Sequence, residues 1–98
     1  MKSAHEYENQ TEMGLDHFLE QMKLKLALNQ EKKGDSWQSC DIQFLELKLY
    51  EELDEFYGAK TPMEKAKELV DVANVCMMLN NRYLEQWAEK AGELMFGR

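Results

Sequence analysis

Two long helix-forming stretches are interrupted by Gly58-Ala59-Lys60-Thr61-Pro62, which contains the only proline of the 98-residue sequence. This interruption constrains the fold more than any other feature. Gly58 stands where a helix can end in a left-handed C-cap, a conformation that favours a residue without Cβ. Thr61-Pro62-Met63-Glu64 reads as a capping box, with proline at the first helical position, where its missing N–H removes no hydrogen bond. The connection from Gly58 to Lys60 is too short for anything but a reversal. The helices on either side are therefore expected to pair as an antiparallel hairpin.

The rest of the chain has the same character. Five glycines and abundant Leu, Met, Glu, Lys and Ala favour helix, because these side chains lose little rotamer freedom there. The expectation is an all-α fold, a small four-helix bundle within one domain. Residues 1–10 read as a flexible N-terminal tail and 11–98 as the domain. A first helix is expected from about Thr11 to Lys33, with Leu15, Phe18, Leu19, Met22 and Leu26 recurring at amphipathic spacing. Lys33-Gly34-Asp35-Ser36-Trp37-Gln38-Ser39 breaks that pattern. Ser39 or Asp41 can then cap a second helix reaching about Tyr57. A third runs from Pro62 to about Asn80. Asn80-Asn81 marks either a break before a fourth helix over Arg82–Phe96 or a bend within one long helix.

Charge and composition exclude several classes of function. Twelve Lys and Arg against 19 Asp and Glu leave a net charge of -7, which repels a phosphate backbone, so nucleic acid is not an expected partner. No run approaches the roughly 18 apolar residues of a spanning helix, so a membrane is not expected either. Met1 to Gln10 is polar where a secretory signal would be apolar, and a cytoplasmic location is the expectation. Cys40 and Cys76 are too few for a disulfide framework and read as free thiols. His5 and His17 read as surface residues rather than ligands.

Chemistry concentrates on the hairpin. Glu51-Glu52-Leu53-Asp54-Glu55 places four carboxylates within five residues, where like charges repel unless they are solvated or offset. On the helical wheel Ile42, Leu45, Leu49, Leu53 and Phe56 form an apolar stripe; Glu52 borders it, Glu55 lies further round, and Asp54 points to water. From Glu68 to Leu79 the only polar side chains are Glu68, Asp71 and Asn74, so Asp71 and Asn74 should sit beside packed surface. A buried carboxylate needs a partner. One solution is a lysine, with Lys48, Lys65 and Lys67 as candidates for Asp71. The other is a cation: across an antiparallel hairpin Glu52 and Glu55 can face Glu68 and Asp71. Such a set of hard oxygen donors suits Mg²⁺, with Mn²⁺ as a plausible substitute.

The two half-motifs, Glu51-Glu52-Leu53-Asp54-Glu55 and Glu68-Leu69-Val70-Asp71, resemble the EExxE…ExxD signature of MazG-type, all-α nucleoside triphosphate pyrophosphohydrolases. The likeness covers about Lys33 to Tyr83. It implies that Glu52, Glu55, Glu68 and Asp71 bind Mg²⁺ and that a nucleoside triphosphate is split into monophosphate and pyrophosphate, as in house-cleaning of the nucleotide pool. By the same resemblance Glu51 would orient or deprotonate the attacking water. Trp37 would face the base, Lys33 the phosphates, and Asn74 the sugar or the metal. Arg82 and Arg98 are the basic residues left for the triphosphate. Trp37 has an equal reading as an aromatic plug, and Asn74 as a hydrogen-bonding residue across the helix interface. Phe44 and Leu47 give the second helix another apolar side, so a homodimer or homotetramer is expected, as the resemblance also implies. Two other readings stay open: a non-catalytic oligomerisation or regulatory module that keeps a cation-binding acidic hairpin, and an acidic partner-binding bundle without metal.

Overall fold

The computed structural model describes the backbone of residues 4–33 and 36–96 and the side chains of 9–30 and 36–95. It is all-helical, with no strand among the described residues: α1 spans Ala4–Lys33, a 3-10 turn Ser36–Gln38, α2 Ile42–Gly58 and α3 Pro62–Phe96. The chain divides into two units, residues 1–34 and residues 35–98. No helix among the described residues is long and apolar enough to cross a membrane.

The first unit is α1 alone. It begins at Ala4 and so takes in most of the stretch expected to be a tail. Ala4, Glu6, Glu8 and Gln10 are good helix formers, and the acidic ones favour the N-terminal end of a helix dipole. Met13, Leu15, Leu19, Leu24 and Leu28 on this helix are exposed. His17, also exposed, lies 3.4 Å from the Gln21 amide across one helical turn.

The second unit is the expected hairpin. Thr61 Oγ1 accepts the Glu64 N–H at 3.1 Å, and the Glu64 carboxylate reaches back to the Lys60 N–H at 3.0 Å, so the capping box closes one residue further out than its usual form. Gly58, by contrast, is not a left-handed cap. It belongs to α2, and the helix ends at Ala59, whose φ of -65° and ψ of 142° carry the chain off in extended conformation. Lys65 fastens this end of α2: its ammonium donates to the Phe56 carbonyl at 3.0 Å and lies 4.7 Å from the Phe56 ring centroid. Asp41 occupies the N-cap position of α2 with extended backbone, but its side chain makes no capping hydrogen bond.

Of the two outcomes open at Asn80-Asn81, a break or one long helix, the second holds: Pro62–Phe96 is continuous, and the second unit is a two-helix hairpin. Asn81 explains the continuity. Its Nδ2 donates to the Met77 carbonyl one turn back at 2.9 Å, so the amide bonds along the helix instead of diverting the backbone. Ile42, Leu45, Val75 and Leu79 form the buried core, with Trp37, Cys40, Leu49 and Met78 packed against it. Arg82 closes the open end, its Nη1 donating to the Trp37 carbonyl at 2.9 Å. With 35 residues against 17, α3 is roughly twice as long as α2, and Leu84, Trp87, Leu94 and Met95 on its far half are exposed. Phe44, Leu47 and Tyr50 are exposed on the side of α2 turned away from the core. Cys40 is half-buried, Cys76 is exposed, and both are free thiols.

Candidate metal centre

Glu52 follows Ile42, Leu45 and Leu49 along the buried side of α2 at helical spacing, and its position on that stripe puts a carboxylate where an apolar residue would normally sit. It is 7% exposed, as buried as core residues Ile42 and Leu79. Glu55, one turn on, is exposed, and Glu68 reaches in from α3, half-buried. The three carboxylates converge, each contributing one oxygen to a group in which all lie within 4.8 Å of one another. Glu52 Oε2 and Glu68 Oε2 are buried with no hydrogen-bond donor. An acceptor left in that state costs about 1–3 kcal/mol.

One cation is already present on this surface. Lys48 Nζ lies 3.2 Å from Glu52 Oε1 and 3.7 Å from Glu51 Oε2. Burial pushes the Glu52 carboxyl above the ordinary glutamate range; the hydrogen bond and the charge of Glu55 push the same way, while Lys48 opposes them in part. Burial alone would lower the Lys48 pKa. Its hydrogen bond to Glu52 and the surrounding charges of Glu52, Glu51 and Glu55 outweigh that and raise it. The donor set fits a hard divalent cation, because three carboxylates and two unsatisfied buried oxygens are what such an ion takes up and what one lysine leaves uncompensated.

The other sequence candidates fall elsewhere. Asp71 is half-buried one turn beyond Glu68, engaged with neighbours, and outside the converging group of three. Two of the lysines considered for it are committed: Lys48 to Glu51 and Glu52, and Lys65 to the Phe56 backbone. Asn74 is buried at 4% exposure, in keeping with its place on the packed side of α3. Glu51 and Asp54 are exposed. Trp37 packs on the apolar core, which is the plug reading, and Arg82 binds the Trp37 carbonyl at the opposite end of the hairpin from the acidic group. Fourteen residues of helix separate Arg82 from Glu68, roughly 20 Å at helical rise. Lys33 ends α1 with its side chain outside the described residues, as is Arg98.

Lys48 meets Glu51 and Glu52 on its own helix, and its spacing to them, i to i+3 and i+4, is the signal that marks that pairing in the sequence. Compared with known proteins, the chain matches no family model, no curated protein and no solved structure.

Proposed function

We propose that the chain is a Mg²⁺-dependent nucleoside triphosphate pyrophosphohydrolase of the MazG type, with Mn²⁺ as a substitute. It would convert canonical or damaged (d)NTPs to monophosphate and pyrophosphate in the cytoplasm. The observation that carries this reading is the convergence of Glu52, Glu55 and Glu68 within 4.8 Å around a buried, incompletely satisfied carboxylate. Those three would hold the cation, with Asp71 one turn along α3 as the fourth carboxylate. The cation would neutralise charge on the phosphate oxygens, which is most of what phosphoryl transfer asks of a catalyst.

The chain's own groups supply the rest. Glu51, exposed beside the cluster and 3.7 Å from Lys48, is available to orient a water and accept its proton. The half-exposed Trp37 ring and buried Asn74 remain the candidates for base and sugar, and Lys33 for phosphate. Arg82, spent on the Trp37 carbonyl, would act by fixing the Trp37 segment. A panel of nucleoside triphosphates with Mg²⁺, assayed for pyrophosphate, tests the reading: release with at least one substrate is expected, and none with any would overturn it.

Oligomerisation belongs to the same proposal. A second copy would cover the outward faces of α2 and α3, where Phe44 is 62% and Trp87 70% exposed, since uncovered apolar stripes on two helices exceed what a monomer usually leaves in water. Sedimentation at low micromolar concentration giving only an 11.6 kDa species would overturn it. The second reading is a non-catalytic module that keeps the cation-binding hairpin. It is favoured by Arg82 and Lys65 both being tied to backbone carbonyls rather than left for a triphosphate.

A further inference from the structure

We propose that Lys48 is a positioning residue for the cation site, fixing the Glu52 carboxylate so that one oxygen is tethered and the other is presented to the cluster; this rests on the reading of Glu52, Glu55 and Glu68 as cation ligands. The two oxygens of Glu52 are used differently. Oε1 lies 3.2 Å from Lys48 Nζ, whereas Oε2 is buried and accepts no hydrogen bond. A carboxylate is planar, so a charge-assisted bond to one oxygen sets the direction of the other. Glu52 is 7% exposed, and water cannot easily take over that task.

The same ammonium reaches Glu51 Oε2 at 3.7 Å and so bridges two consecutive carboxylates, one buried and one in solvent. Helix stabilisation accounts for only a small part of the arrangement. Lys N-terminal to Glu at i, i+4 is the weaker of the two orientations, and Glu51 offers a largely exposed partner. Ligand orientation from outside the coordination sphere commonly governs metal affinity by 10- to 100-fold.

The proposal has a rival with the opposite sign. A lysine that merely balanced charge would repel an incoming cation and compete for Glu52, so removing it would tighten cation binding. The experiment is a Mn²⁺ titration of the full chain followed by loss of the free-ion electron paramagnetic resonance signal, at matched ionic strength. Wild type, Lys48→Met, Lys48→Arg, Glu52→Gln and Asp54→Asn are compared. Positioning predicts that Lys48→Met weakens Mn²⁺ at least about 10-fold. Lys48→Arg, which keeps a donor on Glu52, should stay closer to wild type than Lys48→Met, and Asp54→Asn should bind as wild type does. Unchanged or tighter binding in Lys48→Met overturns the positioning role while leaving the site intact. Wild type binding no better than Glu52→Gln overturns the cation site itself. Should Lys48→Met fail to fold, Lys48→Gln gives the same comparison with a polar, uncharged side chain.

Discussion

At its open end the α2–α3 hairpin is apolar: Ile42, Leu45, Val75 and Leu79 bury one another, and Trp37, Cys40, Leu49 and Met78 close over them. Toward the turn the same two helices bring Glu52, Glu55 and Glu68 together, and polar contacts share the work of holding that end with buried Val70: the Thr61–Glu64 cap and Lys65 on the Phe56 carbonyl. The open end gains free energy from burial, while the turn end loses part of it by crowding carboxylates. On the proposed reading, stability and chemistry are weighted toward opposite ends of one pair of helices. A destabilising acidic group can persist at one end because the other end, together with the caps, offsets it.

The separation breaks most visibly if the apolar end is damaged. Leu45, 3% exposed, lies at its centre, and Leu45→Ala should remove about 2–5 kcal/mol. That lowers the melting temperature by roughly 10 °C or more in a domain of this size. Thermal unfolding followed by circular dichroism measures it, and a shift of only a degree or two would mean that the core lies elsewhere.

Next in size, on the proposed function, is the effect on chemistry at the acidic end. Glu68→Gln keeps shape and removes one charged oxygen donor, so pyrophosphate release should fall by roughly 10²-fold. Asp54→Asn, on the exposed side of α2, should leave turnover unchanged. Full activity in Glu68→Gln would show that turnover does not depend on Glu68 as a cation ligand and would overturn its place in the site.

A smaller effect is expected at the turn. Thr61→Ala deletes the hydroxyl that accepts the Glu64 N–H, a loss of about 1 kcal/mol. A melting temperature lowered by about 4–8 °C is expected, with no change in Mn²⁺ affinity, because the cap acts on backbone rather than on ligands. A cation affinity that fell in parallel would show the two ends of the hairpin to be less separate than described.

The smallest prediction concerns pH in the absence of metal. The folded-state pKa of Glu52 is raised above the ordinary value of 4.5, so the folded chain binds this proton more tightly than the unfolded one. Its contribution to stability is therefore present below that ordinary value and lost as pH rises through the folded value. Glu52→Gln should remove this loss, and the variant should melt a few degrees above wild type at neutral pH in chelator, a gap that narrows in acid. Melting curves that run parallel for the two proteins from acid to neutral pH would contradict the assignment.

What could be read from the sequence was what depends on spacing and local backbone chemistry. The Thr61-Pro62-Met63-Glu64 cap, the stripe through Ile42, Leu45 and Leu49, and the place of Glu52 at the border of that stripe each follow from positions along a single helix. What could not be read depended on choices between competing partners. Asn81 either breaks a helix or bonds back to the Met77 carbonyl; Gly58 is free to turn left-handed but remains helical, leaving Ala59 to carry the chain out of α2. Arg82 likewise found a backbone carbonyl 45 residues away, a pairing that no periodicity encodes.

That long reach bears on the order in which the hairpin assembles. Lys65 meets the Phe56 carbonyl across 9 residues, whereas Arg82 meets that of Trp37 across 45, and closing the longer loop costs about 1.4 kcal/mol more in chain entropy. Zipping outward from the turn is therefore the cheaper route. A chain that folds this way must bring its acidic side chains together before its apolar ones can reward the effort. The early barrier then contains the mutual repulsion of Glu52, Glu55 and Glu68. On that route, neutralising them, whether by a proton, a cation or the ammonium of Lys48, is expected to hasten folding more than it delays unfolding.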